Sequence, residues 1–463
     1  MAKILIRPSL ALLLVGVLTN ALAPSVFGGH AAHHAKAQTV HAVPHLPRYL
    51  GLLPTSPGFI PIAVWDQAPN GGNVPAQYKN QAQAFHAMGV NIFIGMNSWP
   101  ERFGSDNGEL AAAVASHMYV IGGGDPTSDT SATSVASIAA LVAQTPGASK
   151  YFVGYQWGDE PTCSTDVAAQ VAIVQREDPH RMVFENEGAW TAWLPKNTVG
   201  NATCLSQSEA NLRATNVASS DEYALTDPWH TYLCRTRHGY DCLWAYGAEA
   251  RNLRRLAGST GPVWEFVETG GNDLGLSKEN DGKAETQGAS PAEVNSAAWE
   301  ALLNGANGIE WFCDELLPNG TPIWDYCASN TIIRDNLTYV DHAIEQYAPE
   351  LNAASVPNIA SVQSSNSAVP INFDVKVVDG HTFLIVQGDR LGSTTGTYTL
   401  LHFAGGNARL LYDSNAQYDR TVSEQGKVFR LNSKGTFTDS LPASYSVKIY
   451  EISSGPPVWW AVR

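Results

Sequence analysis

A (β/α)8 barrel followed by a small antiparallel β-sandwich is the fold that this sequence predicts, and three observations carry it. Apolar runs recur eight times between residues 59 and 312, each leading into a loop rich in Gly, Pro, Asp or Asn and then a helix-like stretch. Near Pro357 the character changes, and alternation of apolar and polar residues replaces helical spacing. A doubly wound fold would carry a Gly-rich phosphate loop after its first strand, and Gly71-Gly72 is not that fingerprint.

The eight runs are Phe59–Trp65, Val90–Met96, Met118–Ile121, Tyr151–Trp157, Arg181–Phe184, Val217–Ser220, Val263–Val267 and Gly308–Phe312. Parallel strands buried on both faces read as near-continuous apolar runs of this kind. Helical intervals are expected at Ala76–Met88, Gly108–Ser116, Ser134–Gln144, Cys163–Glu177, Tyr246–Ala257 and Pro291–Leu303. The last opens with proline behind a serine cap. A long amphipathic helix, Thr331–Tyr347, closes the barrel. In the second part, Asp379-Gly380 between two alternating strands marks a hairpin, and Thr397–Phe403, Ala408–Tyr412, Lys427–Leu431 and Ser444–Ile452 continue the pattern. A module of this kind more often braces a barrel than binds polysaccharide.

The N-terminus has the form of a secretory signal: Lys3 and Arg7, an apolar core from Leu10 to Leu18, and a small-x-small site at Ala21-Leu22-Ala23, with Ala35-Lys36-Ala37 as a later option. The expected division is therefore a signal peptide over 1–23, an arm over 24–57, a barrel over 58–354 and a sandwich over 355–463. Export to the periplasm or the extracellular space follows, with no membrane association after cleavage. Six cysteines in an oxidising compartment should pair, and spacing favours Cys234–Cys242 and Cys313–Cys327, leaving Cys163 with Cys204.

Acidic residues exceed basic ones, 43 to 28, and no basic run is present, which excludes nucleic acid as a partner. With 13 Trp and 17 Tyr, the chain is suited to a neutral sugar, whose apolar ring face stacks on aromatics. No CxxC or HxH occurs, the N-terminal histidines lie in linker-like sequence, and neither a metal nor an organic cofactor is called for.

Chemistry in such a barrel sits at the C-terminal ends of the strands. The fourth run stops at Trp157-Gly158-Asp159-Glu160-Pro161, and the seventh at Trp264-Glu265-Phe266-Val267-Glu268. Two carboxylic residues on two strand ends are the minimum machinery for cleaving a glycosidic bond. Alternation places Gln156, Gly158 and Glu160 on one face, opposite Trp157 and Asp159. In the seventh run, Trp264, Phe266 and Glu268 share a face opposite Glu265, which makes Glu268 the better partner for Glu160. Glu187, Glu265 and Glu310 are the competing carboxylates. Substrate contacts are expected from Trp65, Asp66, Asn97, Trp99, Trp157, Asp159, Asn186, Tyr223, Glu265 and Trp311, although Trp65, Trp99 and Trp311 equally suit packing at the barrel mouth.

These motifs resemble the clan A retaining glycoside hydrolases, whose acid/base Glu ends the fourth strand, typically as Asn-Glu-Pro, and whose nucleophile ends the seventh. Asp159-Glu160-Pro161, Asp221-Glu222-Tyr223 and Trp264-Glu265-Phe266-Val267-Glu268 carry the likeness, with the passage Ala298–Ile309 and Gly435–Ser440 beside them. The resemblance implies a poly- or oligosaccharide substrate, Glu160 as acid/base and Glu268 as nucleophile. Tyr223 is then the candidate for orienting Glu268 by a hydrogen bond. Asp159 departs from the usual Asn. The alternatives are a non-catalytic carbohydrate-binding barrel and a barrel hydrolase of a non-sugar substrate, the latter disfavoured by the lack of a Gly-x-Ser-x-Gly elbow.

Overall fold

The computed structural model describes residues 53–66, 75–95, 108–122, 132–161, 166–188, 202–221, 223–225, 243–258, 261–269, 289–313, 315–316, 322–323, 325–418 and 424–454. The leader expected over 1–23, most of the arm, Asn97, Trp99, the side chains of Asp66 and Trp157, the cysteine pairs other than Cys313–Cys327, and the tail from 455 lie outside the described residues.

Eight parallel strands close into a barrel in chain order: β1 (Ile62–Asp66), β2 (Ile92–Gly95), β3 (Tyr119–Gly122), β4 (Phe152–Asp159), β5 (Met182–Gly188), β6 (Ala218–Asp221), β7 (Val263–Glu268) and β8 (Gly308–Phe312). Every apolar run of the sequence becomes one of them. The main helices are α1 (Pro75–Met88), α2 (Glu109–Ala115), α3 (Ala132–Gln144), α4 (Val167–Glu177), α5 (Ala202–Ala214), α6 (Trp244–Ala257), α7 (Pro291–Leu303) and α8 (Thr331–Gln346). Ser290 caps α7 in a reciprocal box with Glu293, with Pro291 in the first turn. Helix α5 has no counterpart in the sequence expectation. Its buried positions include Ser208 and Asn211, so the apolar stripe that would announce a helix is interrupted.

Two cores result from the alternation. Ala63, Trp65, Ile92, Ile94, Ile121, Val153, Met182, Phe184, Trp264 and Phe266 fill the barrel interior. Ile62, Val64, Phe93, Val120, Tyr155, Val183, Val263, Val267, Ile309 and Trp311 face the other way, into the helix layer. At β8 the interior is so full that only glycine fits: a Cβ on Gly308 would lie 2.7 Å from Cδ1 of Trp264 and 2.9 Å from Pro61.

After β8 comes a short ribbon, β9 (Glu315–Leu316) with β10 (Pro322–Ile323). Cys313, the residue after β8, is disulfide-bonded to Cys327, as spacing suggested. Eight further strands form two antiparallel sheets. Three belong to β11 (Ala360–Ser364), β14 (Thr394–Leu400) and β17 (Thr436–Leu441). Five belong to β12 (Ile371–Val378), β13 (His381–Gly388), β18 (Val447–Ser453), β15 (Asn407–Asp413) and β16 (Val428–Arg430). Positive φ at both Asp379 (50°) and Gly380 (84°) turns β12 into β13. Between the sheets lie Leu384, Val386, Tyr398, Leu400, Leu410, Phe437, Tyr450 and Ile452. The five-stranded sheet is covered on its second face too, because Ile385, Tyr412, Val447 and Ile449 join the core of the barrel's helix layer. Tyr412 packs on Trp299 of α7 with ring centroids 5.2 Å apart. Burial on both faces is why Phe383–Val386 reads as an unbroken apolar run.

Candidate active site

The C-terminal ends of β4 to β7 carry the acids. Strand β4 does not keep the simple alternation expected of it. Its register against β5 slips between Gln156 and Asp159, so that Asp159 pairs with Asn186. Met182 and Phe184 face the interior, hence Asn186 does as well, and the bulge swings Asp159 to that same side. This corrects the expectation that Asp159 opposes Gln156. Asn186 Nδ2 donates to Asp159 Oδ1 at 3.1 Å. Glu160 follows with φ of 43°, a conformation that non-glycine residues avoid and that a following proline disfavours further. Its amide donates to the carbonyl of Asn186 at 2.8 Å, and its side chain is exposed.

Asp221, at the end of β6, completes this group. Register sets it beside Gly188 of β5, and it is buried. Burial, and then the charges of Glu160 and Asp159, push the Asp221 carboxyl well above the usual range, with a hydrogen bond from Asn186 opposing. Asp159, Glu160, Asn186 and Asp221 thus form one cluster at the ends of β4, β5 and β6. Asp221 opens the Asp221-Glu222-Tyr223 motif, and the sequence alone marks it with no role. Its signal was available, since Ser219 and Asp221 alternate with Ala218 and Ser220.

Glu268 ends β7 on the face of Trp264 and Phe266 and is buried. One oxygen, Oε1, accepts from the Leu225 amide at 2.7 Å and from the Tyr246 hydroxyl at 2.5 Å. Tyr246 comes from the first turn of α6 and was not singled out from the sequence. Tyr223, the candidate from sequence for orienting Glu268, has its ring 5.0 Å from that of Phe312, the residue paired with Glu268 in β8. Next in the chain, Thr269 donates to the Phe312 carbonyl at 2.6 Å and touches Cys327 Sγ at 3.2 Å, so the disulfide lies against the residue that follows Glu268.

Below the mouth, Glu310 is fully buried within the barrel and accepts from Ser219 at 3.2 Å. Burial holds its carboxyl well above the usual range. It faces the barrel interior, alternating with Ile309 and Trp311 of the helix layer. Trp65 belongs to the interior packing, edge-to-face on Phe266 at 5.2 Å and 6.4 Å from Phe184.

Two expected substrate contacts lie elsewhere. Glu265 and Trp311 alternate with interior residues and point into the helix layer, both fully buried. Trp311 donates its indole N–H to Asp341 of α8 at 3.0 Å. Register aligns Glu265 with Ser220 and Ser220 with Glu187, a polar row behind β5, β6 and β7. Glu249 of α6 is buried against that row, and burial raises its carboxyl to about 7, with Ser220 and Glu265 opposing. Glu187 accepts from Asn211 of α5 at 2.9 Å. Its neighbour Glu185 is pushed well above the usual range by burial, then by Glu187 and Asp159. Among the described residues, no group of three or more His, Cys, Asp or Glu could hold a metal ion.

No protein-family model matches the chain, and no curated protein matches its sequence. Solved structures do match. A protein described as a glycoside hydrolase superposes with a TM-score of 0.52 at 10% identity, over 86% of this chain and 93% of its own. An AmyP variant in complex with maltotriose gives 0.50 at 13% identity, over 86% and 97%. Amy13B of Eubacterium rectale gives 0.50 at 7% identity, over 89% and 98%. At these identities the likeness is one of fold: a closed parallel barrel followed by antiparallel sheets.

Proposed function

We propose that the protein is a secreted glycoside hydrolase that cleaves O-glycosidic bonds of a poly- or oligosaccharide by retaining double displacement. The observation that carries this reading is the pair of carboxylic residues ending β4 and β7, Glu160 exposed and Glu268 buried beneath two donors. Glu268 is the nucleophile: its carboxylate attacks the anomeric carbon while the bond to the leaving oxygen breaks and Glu160 gives that oxygen its proton. Water then loses a proton to Glu160 and attacks the same carbon, and the Glu268 carboxylate departs with configuration retained. Close carboxyls oppose joint ionisation, so the cluster of Asp159, Glu160 and Asp221 is suited to keeping a proton at the mouth.

Sugar as the ligand is supported by the solved structures of like fold, one described as a glycoside hydrolase and one bound to maltotriose. Asp66, Asn97, Trp99, Trp157, Asp159, Asn186 and Tyr223 remain the proposed substrate contacts. In the same reading residues 1–23 are removed on export, 24–57 form an arm, 58–354 the barrel and 355–463 the sandwich. Turnover of a panel of glycans and aryl glycosides tests the function. Glu268→Ala and Glu160→Ala should each lower kcat roughly 10³-fold or more while glycan binding persists. Binding without turnover in the wild-type protein would assign the non-catalytic barrel instead.

A further inference from the structure

Tyr246, the donor to Glu268, is flanked in the chain by two contacts that tie α6 to the sandwich. Two residues before it, Trp244 lies under the guanidinium of Arg390, 5.5 Å from the ring centroid. Immediately after it, Gly247 admits a close approach by α7: a Cβ there would collide with the Glu300 carboxyl and the Asn304 amide. Glu300 is buried, and Asp389 of the sandwich is near enough that each carboxyl acts on the ionisation of the other. Asp389 in turn pairs with Arg390 at 2.9 Å. Tyr246 thus sits between Trp244, which meets Arg390 and through it Asp389, and Gly247, which meets Glu300 of α7.

The strand that leads into Asp389 and Arg390 is anchored on α7. Asp389 and Arg390 follow β13, whose Gln387 donates to the Ser296 carbonyl of α7 at 2.9 Å. The Ser296 hydroxyl, which donates to the Ala292 carbonyl at 2.7 Å, lies 3.4 Å from the Tyr445 carbonyl. An exposed ion pair between modules would contribute little. Here the Arg390 and Asp389 side chains are about three-quarters covered, and a guanidinium over an indole is held more strongly when desolvated. A first helical turn held on both sides has little freedom to withdraw its tyrosine from the carboxylate.

We propose that Arg390 is a positioning residue: with Asp389 and Glu300 it lets the sandwich fix Tyr246, and through Tyr246 the Glu268 carboxylate. This rests on the reading of Glu268 as nucleophile. A positioning group of this kind acts on kcat and leaves substrate affinity alone, because it touches the reacting carboxylate only through another side chain.

The experiment uses the full chain with Arg390→Gln and Arg390→Lys. In the first, kcat falls roughly ten-fold at unchanged KM, and the second, which keeps a cation over the indole, restores most of it. Amide hydrogen exchange provides a readout independent of turnover. Arg390→Gln should speed exchange at Leu225, whose N–H rests on Glu268, and at 244–248, while β18 stays protected. Should Arg390→Gln fail to fold, Trp244→Leu removes the same contact from the other side. The proposal is overturned if Leu225 exchanges at the wild-type rate in the variant, or if kcat is unchanged and only the melting temperature drops. An inactive wild-type protein would sink the glycosidase reading alone, and exchange at Leu225 would still decide this one.

Discussion

At the scale of single residues, the two proposed catalytic acids are held by opposite means. Glu160 stands exposed on a strained backbone, its φ held by the bulge before it and the bond to the Asn186 carbonyl against the preference set by the proline after it. Glu268 is buried and accepts on one oxygen from Leu225 and Tyr246. Hydrogen bonds to charged acceptors contribute about 1.5–3 kcal/mol each, so Tyr246→Phe should lower kcat by about ten-fold or more. Steady-state kinetics beside a binding assay checks this, and unchanged kcat would assign Tyr246 to packing alone. The sequence showed Glu268 and its separation from Glu265 because β7 alternates without a break. It did not show Asp159 turning inward, since a bulge leaves no mark on composition. Tyr246 was illegible for another reason: it meets Glu268 through tertiary packing, not through any local spacing.

Among the elements, strands were readable and partner surfaces were not. All eight barrel strands followed from apolar runs, because a parallel strand covered on both faces has little room for polar residues. The exceptions are the acids of β5 to β8. Glu187, Ser220 and Glu265 make a row that α5 and α6 cover with Asn211 and Glu249, and α5 went unrecognised because its inner face had to be polar to meet that row. Packing within the barrel is tighter than the sequence reveals. Gly308→Ala would press a methyl group on the Trp264 indole, which has no free direction in which to move. Overpacking of this kind costs about 1–3 kcal/mol, and urea unfolding should show that loss without a change in m-value. Wild-type stability in the Gly308→Ala variant would mean that the interior has slack.

For the whole molecule, the buried carboxyls set the pH response. Burial raises Glu185, Asp221, Glu249, Glu300 and Glu310, while Glu424 is lowered by its hydrogen bond from Lys427. A carboxyl with a raised folded pKa binds its proton more tightly in the native state. Its contribution is fully present below the unfolded value near 4.5 and is lost as pH rises through the folded value. Glu249, raised to about 7, accounts for a loss on the order of 3 kcal/mol between those limits. Unfolding measured across pH 4 to 8 should therefore show stability falling with pH, and Glu249→Gln should flatten the slope. Stability that rises over that interval would contradict the burial of these groups in protonated form. The same whole-molecule view gives the sandwich its place, since its five-stranded sheet shares a core with α7 and α8 and carries Arg390 to the start of α6. The most direct test of the central claim is to trap the glycosyl-enzyme with a panel of 2-deoxy-2-fluoro glycosyl fluorides and map the adduct by peptide mass. Retaining displacement predicts a single stoichiometric label on Glu268 with loss of turnover. A label on another carboxylate, or active protein that releases its product with inverted configuration and takes no label, would contradict it.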